Sequence, residues 1–125
     1  QAATNGFTQR LGLVDGTGGG DMQNAVYFRA LQFGNWTAVT EAANVETTTD
    51  TGIAQSTSFQ NFKIVQNASG TSVTFYINDV LEATHTTNIP TAPLYPDVNV
   101  KLNAGGANEY SLVDYYYILI SGLSR

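Results

Sequence analysis

Ten carboxylates, a single histidine and no cysteine set the chemical repertoire of this chain. Glu46 and Asp50 are the nearest thing to a carboxylate pair. Four residues apart in a strand, they would share a face at a separation of about 13 Å. Glycoside hydrolysis works across roughly 5 to 9.5 Å, so this pair reads as a solvated strand face. His85 stands in a hairpin, where a lone imidazole is expected at the surface or rim. No serine lies in a G-x-S-x-G context, which leaves a hydrolase triad without an anchor. Asp15 and Asp21 bracket the loop D-G-T-G-G-G-D, and hard oxygen ligands on such a loop could hold calcium. The competing reading is a polar turn whose aspartates bond their own backbone. No other cofactor is called for, and no catalytic residue is assigned.

Sugar binding needs aromatic faces beside amides and carboxylates on one surface. Trp36, Tyr27 and Tyr76, with Asn78 and His85, are the candidates. Trp36 and Tyr115 also sit among apolar strand neighbours, where core packing competes for them. Tyr115 and Tyr117 are the candidate subunit contacts.

The surface these residues would occupy is polar without being ionic. Only 12% of residues are charged, and the net charge is −5. Arg10, Arg29, Lys63, Lys101 and Arg125 are scattered, so nothing tracks a phosphate backbone and nucleic acid is not an expected partner. No apolar run approaches the length that spans a bilayer, so no membrane partner is expected either. The lack of cysteine excludes disulfides, thiolate metal sites and a cysteine nucleophile together.

The elements that must position these residues are strands. Residues 71–86, T-S-V-T-F-Y-I-N-D-V-L-E-A-T-H-T, place two runs rich in Val, Phe, Tyr, Ile and Thr around Asn78-Asp79, which reads as a hairpin. A two-residue loop sets Ile77 against Val80 but Phe75 against Glu82. A three-residue loop would set Phe75 against Ala83, at the cost of a left-handed valine, so the shorter loop is favoured. Further strands are expected over 7–14, 25–31, 36–42, 45–53, 61–66, 97–102 and 110–121. Pro90, Pro93 and Pro96 exclude a central strand and mark a crossing between sheets. The 110–121 segment is apolar on both parities, as in a strand covered on both faces. No segment carries a 3.6-residue apolar stripe. The expectation is all-β: about nine strands in an antiparallel two-sheet β-sandwich with essentially no helix, an arm over 1–6 and one domain over 7–125.

Four segments carry a resemblance: Trp36-Thr37-Ala38-Val39-Thr40, Thr49-Asp50-Thr51-Gly52, Val73 to Asp79, and Val113-Asp114-Tyr115. In this order they resemble the concanavalin A-like lectin/glucanase jelly roll, in the versions found in bacteriophage tail and capsid-surface proteins. The resemblance implies a jelly roll and a non-catalytic virion-surface module, either capsid decoration or tail appendage. Such a module would work through protein contacts as a homo-oligomer or with other virion proteins, and by host-surface adhesion. The alternative it implies is a carbohydrate-binding module that meets cell-surface glycan, with a glucanase or lyase fragment behind that. The expected location is the virion surface or the extracellular space. A departure also matters: Asp79 stands where the hairpins of this family carry glycine.

Overall fold

The computed structural model describes residues 6–16 and 22–102. Eight strands form: β1 (Phe7–Val14), β2 (Ala25–Leu31), β3 (Asn35–Ala42), β4 (Val45–Ala54), β5 (Phe62–Gln66), β6 (Val73–Ile77), β7 (Val80–His85) and β8 (Tyr95–Leu102). No helix occurs among the described residues. The strands make two antiparallel sheets, one of five in the order β4-β3-β2-β1-β8 and one of three in the order β5-β6-β7. The expected all-β sandwich is therefore the observed architecture. The strand expected over 110–121, with Tyr115 and Tyr117, lies outside the described residues.

Side-chain alternation along β2 divides the molecule. Val26, Phe28 and Ala30 point inward with Trp36 and Ala38 of β3 and meet Val73, Phe75, Ile77 and Ala83 of the smaller sheet. Phe28 is the hub of this layer. Its ring lies 5.3 Å from Phe75 at 86° and 5.1 Å from Phe62, and Phe62 in turn lies 4.7 Å from Trp36. Such edge-on contacts put the positive rim of one ring on the negative face of the next, adding to the burial term.

Tight turns fix the registers. Asn78 and Asp79 both take positive φ, 51° and 65°, and Ile77 pairs with Val80, as the two-residue loop requires. Phe75 nevertheless pairs with Ala83, because the register shifts between Phe75 and Tyr76. Glu82 is the extra residue of that bulge. One inserted residue keeps the short turn and removes the carboxylate from the apolar row, joining the two registers that had looked like alternatives. The β3–β4 hairpin turns the same way through Ala43 and Asn44, with φ of 51° and 66°.

The proline-rich passage carries the chain from β7 in one sheet to β8 in the other, as expected. Strand β8 starts two residues earlier than expected and includes Pro96, which faces Leu13 of β1. Among the described residues β8 is the last strand of its sheet, where a missing N–H is tolerated.

Phe75 is fully buried and edge-on to Phe28. Phe75→Ala should cost about 3–5 kcal/mol, read as a fall in the urea midpoint at unchanged slope.

Candidate functional site

The outer face of the large sheet is built from the opposite parity. Register places Arg10 and Gly12 of β1, Tyr27 and Arg29 of β2, Val39 and Glu41 of β3, and Glu46 and Thr48 of β4 on this one face. A hollow of about 500 Å³ opens there, lined by Arg10, Met22, Gln23, Tyr27, Glu41, Asn44 and Glu46. Its floor is Met22 and Tyr27, which belong to a second apolar cluster with Val14, Ala25 and Val39. Gly12 makes this floor possible, since it faces Tyr27 directly. A Cβ at position 12 would sit 2.6 Å from Tyr27 Cα and 2.7 Å from Tyr27 Cβ, against the Val26 carbonyl as well.

Tyr27 anchors the polar wall. Its hydroxyl donates to Glu46 Oε1 at 2.9 Å, while Arg29 grips the same carboxylate with Nη1 at 2.8 Å and Nη2 at 3.1 Å. This two-pronged geometry is the strong form of the arginine–carboxylate contact. Burial alone would raise the Glu46 pKa, but the hydrogen bonds from Arg29 and Tyr27, with the nearby Arg29 and Arg10 charges, outweigh it and hold Glu46 below its usual value. Burial pushes the Tyr27 phenol well above its usual value.

Glu41 is the opposite case. It pairs directly with Glu46 across the β3–β4 hairpin and is 7% exposed. Among the described residues no hydrogen-bond donor engages its carboxyl. Burial raises its pKa first and the Glu46 charge raises it further, against partial relief from Arg10 and Arg29. Adjacent carboxyls in unlike environments thus divide into one held charged and one pushed toward neutral. Arg10 stands over the Tyr27 ring, 5.7 Å from its centroid. Its Nε is buried without a hydrogen-bond partner. No carboxylate among the described residues pairs with its guanidinium.

The residues singled out from sequence are dispersed over the fold. Trp36 is 4% exposed in the inter-sheet core, its Nε1 donating to Gln60 at 3.0 Å. Tyr27 does belong to the site, as floor and hydroxyl rather than as an exposed ring. Tyr76 lies on the smaller sheet, under Lys63 at 4.4 Å. Asn78 is spent in its turn, where its Oδ1 accepts from Asn61 N at 2.9 Å and its own N donates to the Asn61 carbonyl. These five therefore do not form one sugar-binding surface. Asp15 bonds across the loop: Oδ1 accepts from Gln23 N at 3.2 Å and Oδ2 from Asn24 Nδ2 at 2.9 Å, and the Asn24 bond lowers its pKa. Asp21 lies outside the described residues, among which no cluster of three metal-binding side chains occurs. The Glu46 and Asp50 pair is not a unit either, since Asp50 accepts from Asn35 and from Gly52 N at the β4 bulge.

His85 departs furthest from expectation. It is 3% exposed, its ring tilted against Phe75, and joins the two sheets: Nδ1 lies 3.0 Å from Thr40 Oγ1 and Nε2 lies 2.9 Å from Thr49 Oγ1. Thr40 gives its only hydroxyl proton to the Thr87 carbonyl at 3.0 Å, so it must accept from His85. That places a proton on Nδ1, and in the neutral ring that burial favours Nε2 accepts from Thr49. Alternation hid this role, because β7 reads as a hairpin strand until β3 and β4 are laid against it.

A family model described as "SO2946-like, C-terminal domain" matches residues 1–113. The chain belongs to the SO2946-like C-terminal domain family. No curated protein and no solved structure matches it. Within this SO2946-like domain, the site residues of β1 to β4 all fall inside the matched span.

Two outcomes follow. Gly12→Ala should destabilise the domain by about 1–3 kcal/mol through overpacking against Tyr27, measured by urea unfolding. Burial lowers the His85 pKa below its ordinary value of 6.5, so the unfolded chain binds a proton that the folded chain refuses. The His85 contribution is whole above pH 6.5 and drains away as pH falls through the lowered folded value. Glu41, raised in the fold, acts in the reverse sense. The measure is therefore the difference between wild type and His85→Gln, which should shrink between about pH 7.5 and about pH 5.5.

Proposed function

We propose that this domain is a non-catalytic adhesion module of a virion surface, in a capsid decoration or a tail appendage, whose working face is the outer side of the large sheet and whose ligand there is a glycan. The observation that carries the adhesion reading is the hollow over Tyr27. It joins an apolar base, Met22 and Tyr27, to converging donors and acceptors on Arg10, Gln23, Glu41, Asn44 and Glu46. The lining is open and mostly polar, with only that base apolar, which suits a hydroxyl-rich ligand better than an apolar one. Sugar hydroxyls each donate and accept, and this lining offers partners of both kinds.

Several features support binding over bond-breaking. Glu46 has both oxygens occupied by Arg29, with Tyr27 on one of them, which blunts a carboxylate as nucleophile or base. The only histidine is locked between the sheets. The virion setting rests on the resemblance of the quoted segments to phage tail and capsid-surface jelly rolls, and assembly with copies of itself or other virion proteins belongs to that setting.

Affinity electrophoresis of the purified domain through gels containing single polysaccharides tests this. At least one acidic or neutral glycan should retard it, and no reducing ends should appear on prolonged incubation. Release of reducing sugar would overturn the non-catalytic reading, and free migration through every glycan, with a blank glycan array, would overturn adhesion to sugar.

A further inference from the structure

We infer that the hollow on the large sheet takes a carboxylate-bearing sugar, with the acid group on Arg10 and the adjoining hydroxyls on Glu41. This rests on the glycan reading above and narrows it to a charge class.

The charge inventory of the hollow leads there. Arg29 and Glu46 neutralise each other through a two-pronged contact. What remains is Arg10, half-buried, with no ion pair or hydrogen bond among the described residues, its guanidinium resting on Tyr27 and its Nε buried and unmatched. Two carboxylates stand near it, but Glu46 is gripped by Arg29 and Glu41 makes no ion pair with it, so a partly desolvated Arg10 lacks a paired counter-charge, a cost that a bound anion offsets. A planar guanidinium offers a fork matched to a carboxylate, which a lone hydroxyl fills only by half.

Glu41 sets the limit on the anion. It lies opposite Glu46, and the charged groups around it are Glu46 on β4, Arg10 on β1, Arg29 on β2 and Asp15 just beyond β1. Two of these four are carboxylates, so a phosphate dianion would meet opposition that a single carboxylate meets less. With no donor on it among the described residues, a neutral Glu41 carboxyl can donate to the ligand. Its surroundings already favour that neutral form. An arriving anion favours it further, so binding takes up a proton and tightens as pH falls.

Calorimetric or NMR titration of the domain with glucuronate and with glucose, its neutral counterpart, decides the matter. Glucuronate should bind at least tenfold more tightly than glucose at about pH 5.5, and its affinity should fall severalfold by about pH 7.5. Arg10→Gln should abolish the preference, and Arg10→Lys, which keeps the charge without the fork, should retain only part of it. Glu41→Gln, a permanent neutral donor, should flatten the pH profile while keeping the preference. Equal affinity for the two sugars, or a preference surviving in Arg10→Gln, overturns the inference and leaves glycan binding standing. No binding of either sugar overturns it too, and retention by polysaccharide gels then shows whether the wider reading falls with it.

Discussion

Everything in this domain depends on the strict alternation of β2 at the centre of the large sheet. One parity, Val26, Phe28 and Ala30, is committed to the seam between the sheets, and the other, Ala25, Tyr27 and Arg29, to the outer face. The seam is energetically expensive to disturb, because Phe28 touches both Phe62 and Phe75 and close-packed interiors relax little around a lost ring. The rigidity of that layer holds Tyr27 and Arg29 on its back at fixed positions. Core and candidate site are thus two sides of one ribbon, and a slip of one residue would exchange them.

The outer face shows how unlike electrostatic states arise from neighbouring carboxyls. Glu46 is bound by a tyrosine and an arginine from β2, whereas Glu41, one strand closer to the centre, is more deeply buried and has no donor among the described residues. Coulomb repulsion between the two adds to burial in raising the Glu41 pKa, while the donors on Glu46 hold that carboxylate below its usual value. Arg10 is the cation of this face that no carboxylate pairs with among the described residues, and it sets a positive point beside the Tyr27 ring.

Much of the architecture was legible in the sequence, because period-two patterning and turn chemistry are local. The hairpin at Asn78-Asp79, the sheet crossing through the prolines and the solvated face of the strand carrying Glu46 and Asp50 all follow from neighbours along the chain. The bulge at Glu82 does not, since a bulge is a property of two strands and appears only when both apolar rows must coincide. The site was illegible for the same reason. Arg10, Tyr27, Glu41 and Glu46 come from four strands and meet only through the order of the sheet. One local clue existed: in E-A-A-N-V-E, Asn44 suits a left-handed turn position, and a two-residue turn there sets Glu41 against Glu46. Trp36 took the core place that its apolar strand neighbours offered it, whereas His85 misled because its ring nitrogens suit a sugar as well as they suit a threonine hydroxyl.

The pairing of β1 with β8 has a consequence for biogenesis. The first described strand finds its second neighbour only when residue 102 has left the ribosome, although β2, β3 and β4 can assemble as a meander long before. Closing a loop that long delays the last step of folding, since its entropy must be met before any contact rewards it. During that interval β1 offers a hydrogen-bonding edge to which β8 has not yet added, so the nascent chain is most exposed to mispairing with its siblings just before β8 docks.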